Sequence, residues 1–391
     1  MRPPGSVLVL GAGVFGLTAA IELAARGWSV EVDEPGPFPH PDAASNDVSK
    51  IVRTDYGTDV FYTELAERAL EGWERWNQQW GWDAFQRTGF LLLAAGPLEP
   101  GSFEHASFVT AVQRGHAVER LDPAAARSGG TCWSEAAYAD GYVNRGGGWS
   151  PSGRVIEELA LRARSMGVTL RVGRRAVAIE RRADEPLVRF AGESAPRPAD
   201  VVVVATGSWT PTLLPELADR VWAVGQPVFH LLVEQPEAWV PPAFLPWAAD
   251  IAGSGWYGFP ALPDGRLKVA NHGPGTPLHP DAERVVSSRD EARLRQFLER
   301  ALPKVADAPI VTRRLCVYTE TFDNDFFIDR HPDRPGVVVA TGGSGHAYKF
   351  GPVLGELIAD AVETRENRWL RRFRWRPAGE RRVEPARYLG D

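Results

Sequence analysis

The first apolar stretch of the chain, Val7-Leu-Val-Leu-Gly11, is short, continuous and closed by glycine, the pattern of a fully buried strand. It runs through Gly11-Ala-Gly13-Val-Phe-Gly16 into an Ala/Leu-rich helix ending near Gly27, and a second strand follows over residues 29–34. A long loop, residues 35–58, then leads to an amphipathic, tryptophan-rich helix at about 60–80 and a strand at 90–95. Near residue 150 the alternation resumes with a helix at 154–166 and strands at 168–172 and 176–180. Asp200-Val-Val-Val-Val-Ala-Thr-Gly207 reads as another buried strand, ended by Ala-Thr-Gly. Residues 216–320 read mostly as β structure with one helix over 289–302. A last buried strand, Gly336-Val-Val-Val-Ala-Thr-Gly-Gly343, turns through glycines into a helix over 352–364.

Buried strands alternating with helices predict an α/β (mixed α+β) fold with a doubly covered sheet. The returns near 150 and 336 predict a nucleotide-binding domain built from 1–86, 150–215 and 325–391. A second, β-rich substrate domain is expected over 87–149 and 216–324. A length of 391 residues suits two such domains.

Composition narrows the function by exclusion. Apolar content of 44% and charged content of 24% are ordinary for a globular protein, and a net charge of -6 argues against general nucleic-acid binding. The basic run Arg371-Arg372-Phe-Arg374-Trp-Arg376 reads as a surface helix or a tail contact. No apolar run reaches eighteen residues, so no membrane-spanning helix is expected. Met1-Arg-Pro-Pro-Gly-Ser lacks the architecture of a signal peptide. Two cysteines, Cys132 and Cys316, form no disulfide framework, which fits a reducing cytoplasm. No metal site is expected.

The chemistry starts at the first turn. Strand, Gly-x-Gly-x-x-Gly, helix, second strand and terminal acid form a dinucleotide fingerprint in its required context. Gly11 allows the tight turn, Gly13 lets the backbone approach a pyrophosphate, and Gly16 lets helix pack on strand. Glu34 is the first choice for the ribose hydroxyls, with Asp33 the alternative. Regular βα repeats do not follow, which favours a flavin over a nicotinamide nucleotide.

Among 44 basic side chains only four are lysines, leaving forty arginines. Three of the four fall in motif-like segments: Lys50 in Ser45-Asn-Asp-Val-Ser-Lys50, Lys268 in Gly265-Arg-Leu-Lys268 and Lys349 in Gly345-His-Ala-Tyr-Lys349. Lysine offers a compact point charge and a readily shifted pKa, which arginine does not. Chance placement is the competing explanation.

These segments, with Tyr257–His272, Arg314-Leu-Cys316-Val-Tyr318-Thr and Phe327-Ile-Asp329, resemble the monomeric sarcosine oxidase group of FAD-dependent amine oxidases. Its relatives include N-methyltryptophan, pipecolate and fructosyl-amino-acid oxidases. The resemblance spans nearly the whole chain. It implies a glutathione-reductase-like FAD domain beside a large mixed or antiparallel sheet. It also implies a monomer that oxidises a small secondary amine and reduces oxygen to peroxide.

Residue by residue, the resemblance implies a thioether from Cys316 to the flavin. It places Lys268 over the flavin through water to N5, with Tyr257, His272 and Tyr318 around the substrate and Arg53 with Lys349 on its carboxylate. Ser45, Lys50, Gly343, Gly345, His346 and Lys349 join Gly11, Gly13, Gly16 and Glu34 around the cofactor. Lys50 departs from the sarcosine-oxidase arginine toward the fructosyl-amino-acid oxidase pattern, so the substrate stays open. A buried strand cysteine and a solvent-facing strand lysine are the plain alternatives at 316 and 268. Tryptophans between Trp239 and Trp256 fit either a roomy aromatic pocket or core. A flavin dehydrogenase with another acceptor, a non-catalytic flavin-binding protein and an NAD(P)-dependent dehydrogenase are the competing functions.

Overall fold

Six strands form one sheet in the order Phe327–Arg330, Val337–Thr341, Val201–Val204, Ser6–Leu10, Ser29–Glu34 and Thr169–Val172. They are seen in a computed structural model of the protein, which describes residues 5–121, 132–134 and 136–390. Met1 to Pro4 of the N-terminal stretch read above therefore lie outside the described residues. Every pairing in this sheet is parallel except that of the edge strand Phe327–Arg330. Parallel strands need cover on both faces. Alternate side chains supply it: Val7, Val9 and Val203 pack against Leu17 of the helix Val14–Ala25 and Leu357 of the helix Gly351–Glu363. Leu8, Leu10, Val202 and Val204 pack the opposite way, with Val188 and Phe190 of a small three-stranded sheet.

A second, nine-stranded sheet is built mostly from antiparallel pairs. Its spine is Val221–Leu232, which pairs along its length with Ile310–Thr321 and also with Arg266–Asn271. The helix Ser288–Ala301 covers one face, starting in a capping box between Ser287 and Asp290 and burying Leu294, Phe297 and Leu298. The glutathione-reductase-like nucleotide sheet and the large mixed sheet expected from the sequence are both present.

Three features differ from the sequence reading or sharpen it. The helix Phe103–Gln113 is not signalled by apolar periodicity, because its buried face carries Glu104 and Ser107. The loop after residue 35 contains a short strand, Lys50–Val52, paired with Gly148–Ser150. Two arginines of the basic C-terminal run are committed to ion pairs: Arg372 with Asp59 at 2.7 Å and Asp325 at 2.8 Å, and Arg376 with Asp323 at 2.6 Å. Among the described residues no helix is long and apolar enough to cross a membrane, and no group of His, Cys, Asp or Glu is arranged to hold a metal.

The helices Val14–Ala25 and Gly351–Glu363 cross closely enough that a Cβ on Gly355 would lie 2.4 Å from the Thr18 carbonyl oxygen. That contact is backbone and cannot yield cheaply. Gly355→Ala is expected to destabilise the protein by about 2 kcal/mol, read as a lowered midpoint in denaturant unfolding with unchanged slope.

Candidate active site

The parallel strands end in a cleft of about 420 Å³ that Leu10, Glu34, Ala205 and Thr341 line at its strand-end wall. This is where doubly wound sheets bind nucleotides. Gly11 has φ +101°, and a Cβ there would meet the Ala205 carbonyl oxygen at 2.6 Å; one on Gly16 would meet the Gly11 carbonyl oxygen at 1.9 Å. Gly13 caps the helix Val14–Ala25 without a side chain, and Ser45 Oγ accepts from the Val14 amide at 3.1 Å. An extended dinucleotide fits this cradle: the glycines let turn, helix and strand pack closely, and Gly11, Gly13 and Ser45 line the cleft with little side chain in the way.

Both candidate acids line the cleft, but their surroundings separate them. Asp33 gives one oxygen to Arg174 at 2.7 Å, and burial pushes its carboxyl up to about 6. Glu34 Oε2 accepts from the Ala12 amide at 2.8 Å in the phosphate turn itself, its carboxyl raised by burial.

At the other end the cleft meets Lys50, Tyr318, Gly343, Gly345 and Tyr348. His346 is not among the lining residues. Its ring is buried, with Nδ1 3.1 Å from the Tyr56 hydroxyl and Nε2 3.1 Å from the Asn324 carbonyl, and burial pulls it down to about 3. It braces the loop as a neutral ring. Cys316 is a free, buried thiol one residue before the cleft-lining Val317. It packs with Tyr318, Tyr257, Val228 and Ala270. Arg314, two residues earlier on the same strand, donates to the carbonyls of Asn46 at 2.5 Å and Ala43 at 3.1 Å.

Arg53 and Lys349 converge on Tyr56: the guanidinium lies 5.4 Å and the ammonium 5.1 Å from its ring centre. Among the described residues Arg53 forms no ion pair, and its Nη1 is buried without a hydrogen-bond partner. Lys349 Nζ donates to the Tyr56 hydroxyl at 2.9 Å and the His346 carbonyl at 3.0 Å, with no carboxylate in contact. Burial and then Arg53 hold its pKa well below the usual lysine range. Asp55 and Asp59 do not quench the arginine. Asp55 accepts from Tyr142 at 2.6 Å, and Asp59 caps the helix Val60–Trp80.

The Tyr257 and Tyr318 hydroxyls are 3.2 Å apart. His272 Nε2 lies 3.0 Å from Glu384 Oε2, with the ring held below its ordinary pKa by burial and by Arg387. Arg387 in turn lies 2.9 Å from Glu320. Glu384 and Arg387 come from the C-terminal segment, and no sequence pattern marked them.

Lys268 is 3% exposed and is not a solvent-facing strand lysine. Its Nζ donates to Asp47 Oδ2 at 2.6 Å and to the Ser49 carbonyl at 2.7 Å. Burial pulls it down and Asp47 pulls it up, leaving it at about 8. Asp47 stood inside the Lys50 motif, three residues ahead of it, yet its partner lies 221 residues away. His230, opposite Lys268 in the strand register, is a further buried neighbour that alternation alone could not single out. The tryptophans at 239, 247 and 256 belong to the core beneath the second sheet, so they do not argue for a roomy aromatic pocket.

The chain aligns with known proteins over almost its full length. It is 28% identical over 366 residues to a monomeric sarcosine oxidase of Bacillus sp. (strain B-0618), covering 92% of each chain. It is 29% identical over 376 residues to an N-methyl-L-tryptophan oxidase of Escherichia coli O139:H28, covering 92% of this chain and 95% of that one. Its fold matches the fructosamine oxidase (Amadoriase II) of Aspergillus fumigatus with a TM-score of 0.86 at 23% identity, over 100% of this chain and 94% of that one. The family model described as DAO, FAD dependent oxidoreductase, matches residues 6–361. With the dinucleotide cradle, this match establishes that the chain belongs to the DAO family of FAD-dependent oxidoreductases.

Proposed function

We propose that the protein oxidises the C–N bond of a secondary amine carried by a small amino acid, N-substituted or cyclic, with oxygen as acceptor and peroxide as product. The observation that carries this reading is the pair Arg53 and Lys349: two cations at one tyrosine ring, both without a carboxylate in contact, one with a buried nitrogen that lacks a partner. A buried cation left unpaired in the free protein is costly unless a ligand anion meets it. A substrate carboxylate supplies that anion, taken bidentately by the arginine fork.

The remaining residues divide the work. The Tyr257–Tyr318 hydroxyl pair and His272 border the amine end. His272, its pKa lowered by burial and by Arg387, can order a proton beside the amine. Gly11, Gly13, Ser45, Glu34, Lys50, Gly343 and Gly345 would hold FAD, whose isoalloxazine supplies the two-electron acceptor for the carbon next to nitrogen. Cys316 is read as the thioether attachment, and its packing against Tyr318 at the cleft edge supports that reading. Lys268 offers positive charge where oxygen gains electrons, as fixed charges stabilise developing anions in a dry site. The oxidised product is an imine, which water hydrolyses after release.

A fructosyl-amino-acid oxidase is the second reading, and Lys50 in the Asp47-Val-Ser-Lys50 setting is what favours it. We read the chain as a monomer, as the name of its sarcosine-oxidase relatives has it, working in a reducing compartment that suits two free thiols.

A peroxide-coupled panel of sarcosine, N-methyltryptophan, pipecolate, proline, fructosyl-valine and fructosyl-lysine is expected to give one responsive class. Lys268→Met is expected to slow flavin reoxidation by about a hundredfold while reduction of the flavin by the amine persists; anaerobic bleaching with no peroxide from the wild type would instead mean another acceptor. Arg53→Ala is expected to raise KM roughly tenfold or more with a smaller change in kcat, and an unchanged KM would move the carboxylate site elsewhere. Lys268 carries its charge below about 8 and loses it as pH rises through that value. Reoxidation is therefore expected to decline on the alkaline side, and a flat profile would count against the lysine. Acid-denatured protein is expected to keep its yellow colour in the wild type and to lose it in Cys316→Ala.

A further inference from the structure

We propose that Asp47 is the positioning residue of the oxygen step: its carboxylate keeps the Lys268 ammonium charged and aimed, and acts on oxygen only through that lysine. This rests on the reading of Lys268 given above.

The geometry is that of a fixed pair. Asp47 is held at its backbone, where its carbonyl accepts from the Gly153 amide and the Ser152 hydroxyl, each at 2.8 Å. Its Oδ1 accepts from the Val48 amide at 2.7 Å, which leaves Oδ2 for Lys268 at 2.6 Å. On the other side Lys268 Nζ is tied to the Ser49 carbonyl and lies 4.7 Å from the centre of the Phe259 ring. Neither side chain has room to swing, with 7% and 3% of the residues exposed.

Among the described residues, the groups facing this pair from every packed element leave Asp47 as its one carboxylate. Arg314 from Ile310–Thr321 lies 3.8 Å from the carboxylate but is spent on two backbone carbonyls. Lys50 from Lys50–Val52 lies 3.9 Å away and faces the cleft. His230 from Val221–Leu232 lies 3.8 Å away, makes no hydrogen bond through either ring nitrogen, and stays neutral down to about 4. Cys316 is the neighbouring thiol. Three cations thus surround one carboxylate. Without it, burial and Lys50 both push Lys268 toward the neutral amine. Asp47 itself stays ionised far into acid, because Lys268, Lys50 and Arg314 outweigh its burial.

The test uses the holoenzyme labelled with 15N-lysine, in which four lysines give four side-chain signals, with Lys268→Met assigning the one of interest. Asp47→Asn keeps the shape and removes the charge. It is expected to lower the Lys268 titration midpoint by more than about one pH unit. The alkaline limb of flavin reoxidation, followed by stopped flow, is expected to move by the same amount. Asp47→Glu restores the charge and is expected to bring both back toward the wild type; it also carries the test if the asparagine variant does not fold. A Lys268 titration unmoved by Asp47→Asn overturns the proposal. So does a titration that moves while the reoxidation limb stays. A Lys268→Met enzyme that reoxidises at the wild-type rate would instead sink the role of the lysine, a separate failure.

Discussion

Taking a cation out of water costs several kcal/mol unless an anion meets it, and this chain does so repeatedly. Lys268 is met by Asp47, and Arg387 by Glu320. Among the described residues Arg53 and Lys349 are met by no carboxylate, but by aromatic rings, the Tyr56 hydroxyl and a backbone carbonyl. The difference sorts the site into two functions. Where the counter-ion is built in, as for Lys268 beside Asp47, the charge is held without any ligand. Where it is missing, as for Arg53, a buried nitrogen is left open to an anion from outside the protein.

Much of the scaffold supporting these charges was legible in the sequence because its causes are local. Gly11 and Gly16 are fixed by what a Cβ would strike within a few residues or on the adjacent strand. The valine runs at 201–204 and 337–341 announce themselves as strands buried on both faces. Chemistry that depends on distant partners was less legible. The pairs Lys268–Asp47 and His272–Glu384 join residues 221 and 112 positions apart. The helix Phe103–Gln113 was missed for a third reason: it buries Glu104 and Ser107 where apolar residues would have shown its period.

The C-terminal segment shows how polar groups can close a site without an apolar pattern. Glu384 reaches His272, Arg387 reaches Glu320 and donates to the Ser344 carbonyl, and the Tyr388 amide donates to the His272 carbonyl. Further upstream, Arg372 and Arg376 clamp the same tail to Asp59, Asp325 and Asp323. Two arginines of what looks like an exposed basic run, Arg372 and Arg376, are in fact paired with aspartates from the body of the protein.

The scarcity of lysine has a practical side. Of the four, Lys268 and Lys349 are buried, Lys50 lies half-buried at the cleft, and Lys304 is exposed on the turn after the helix Ser288–Ala301. Reagents that couple to side-chain amines, such as activated esters on an electrode or a bead, therefore have one fully open lysine anchor, on an element remote in sequence from the cofactor cradle. A protein attached through Lys304 would be held by that turn, its surface arginines untouched by the coupling chemistry.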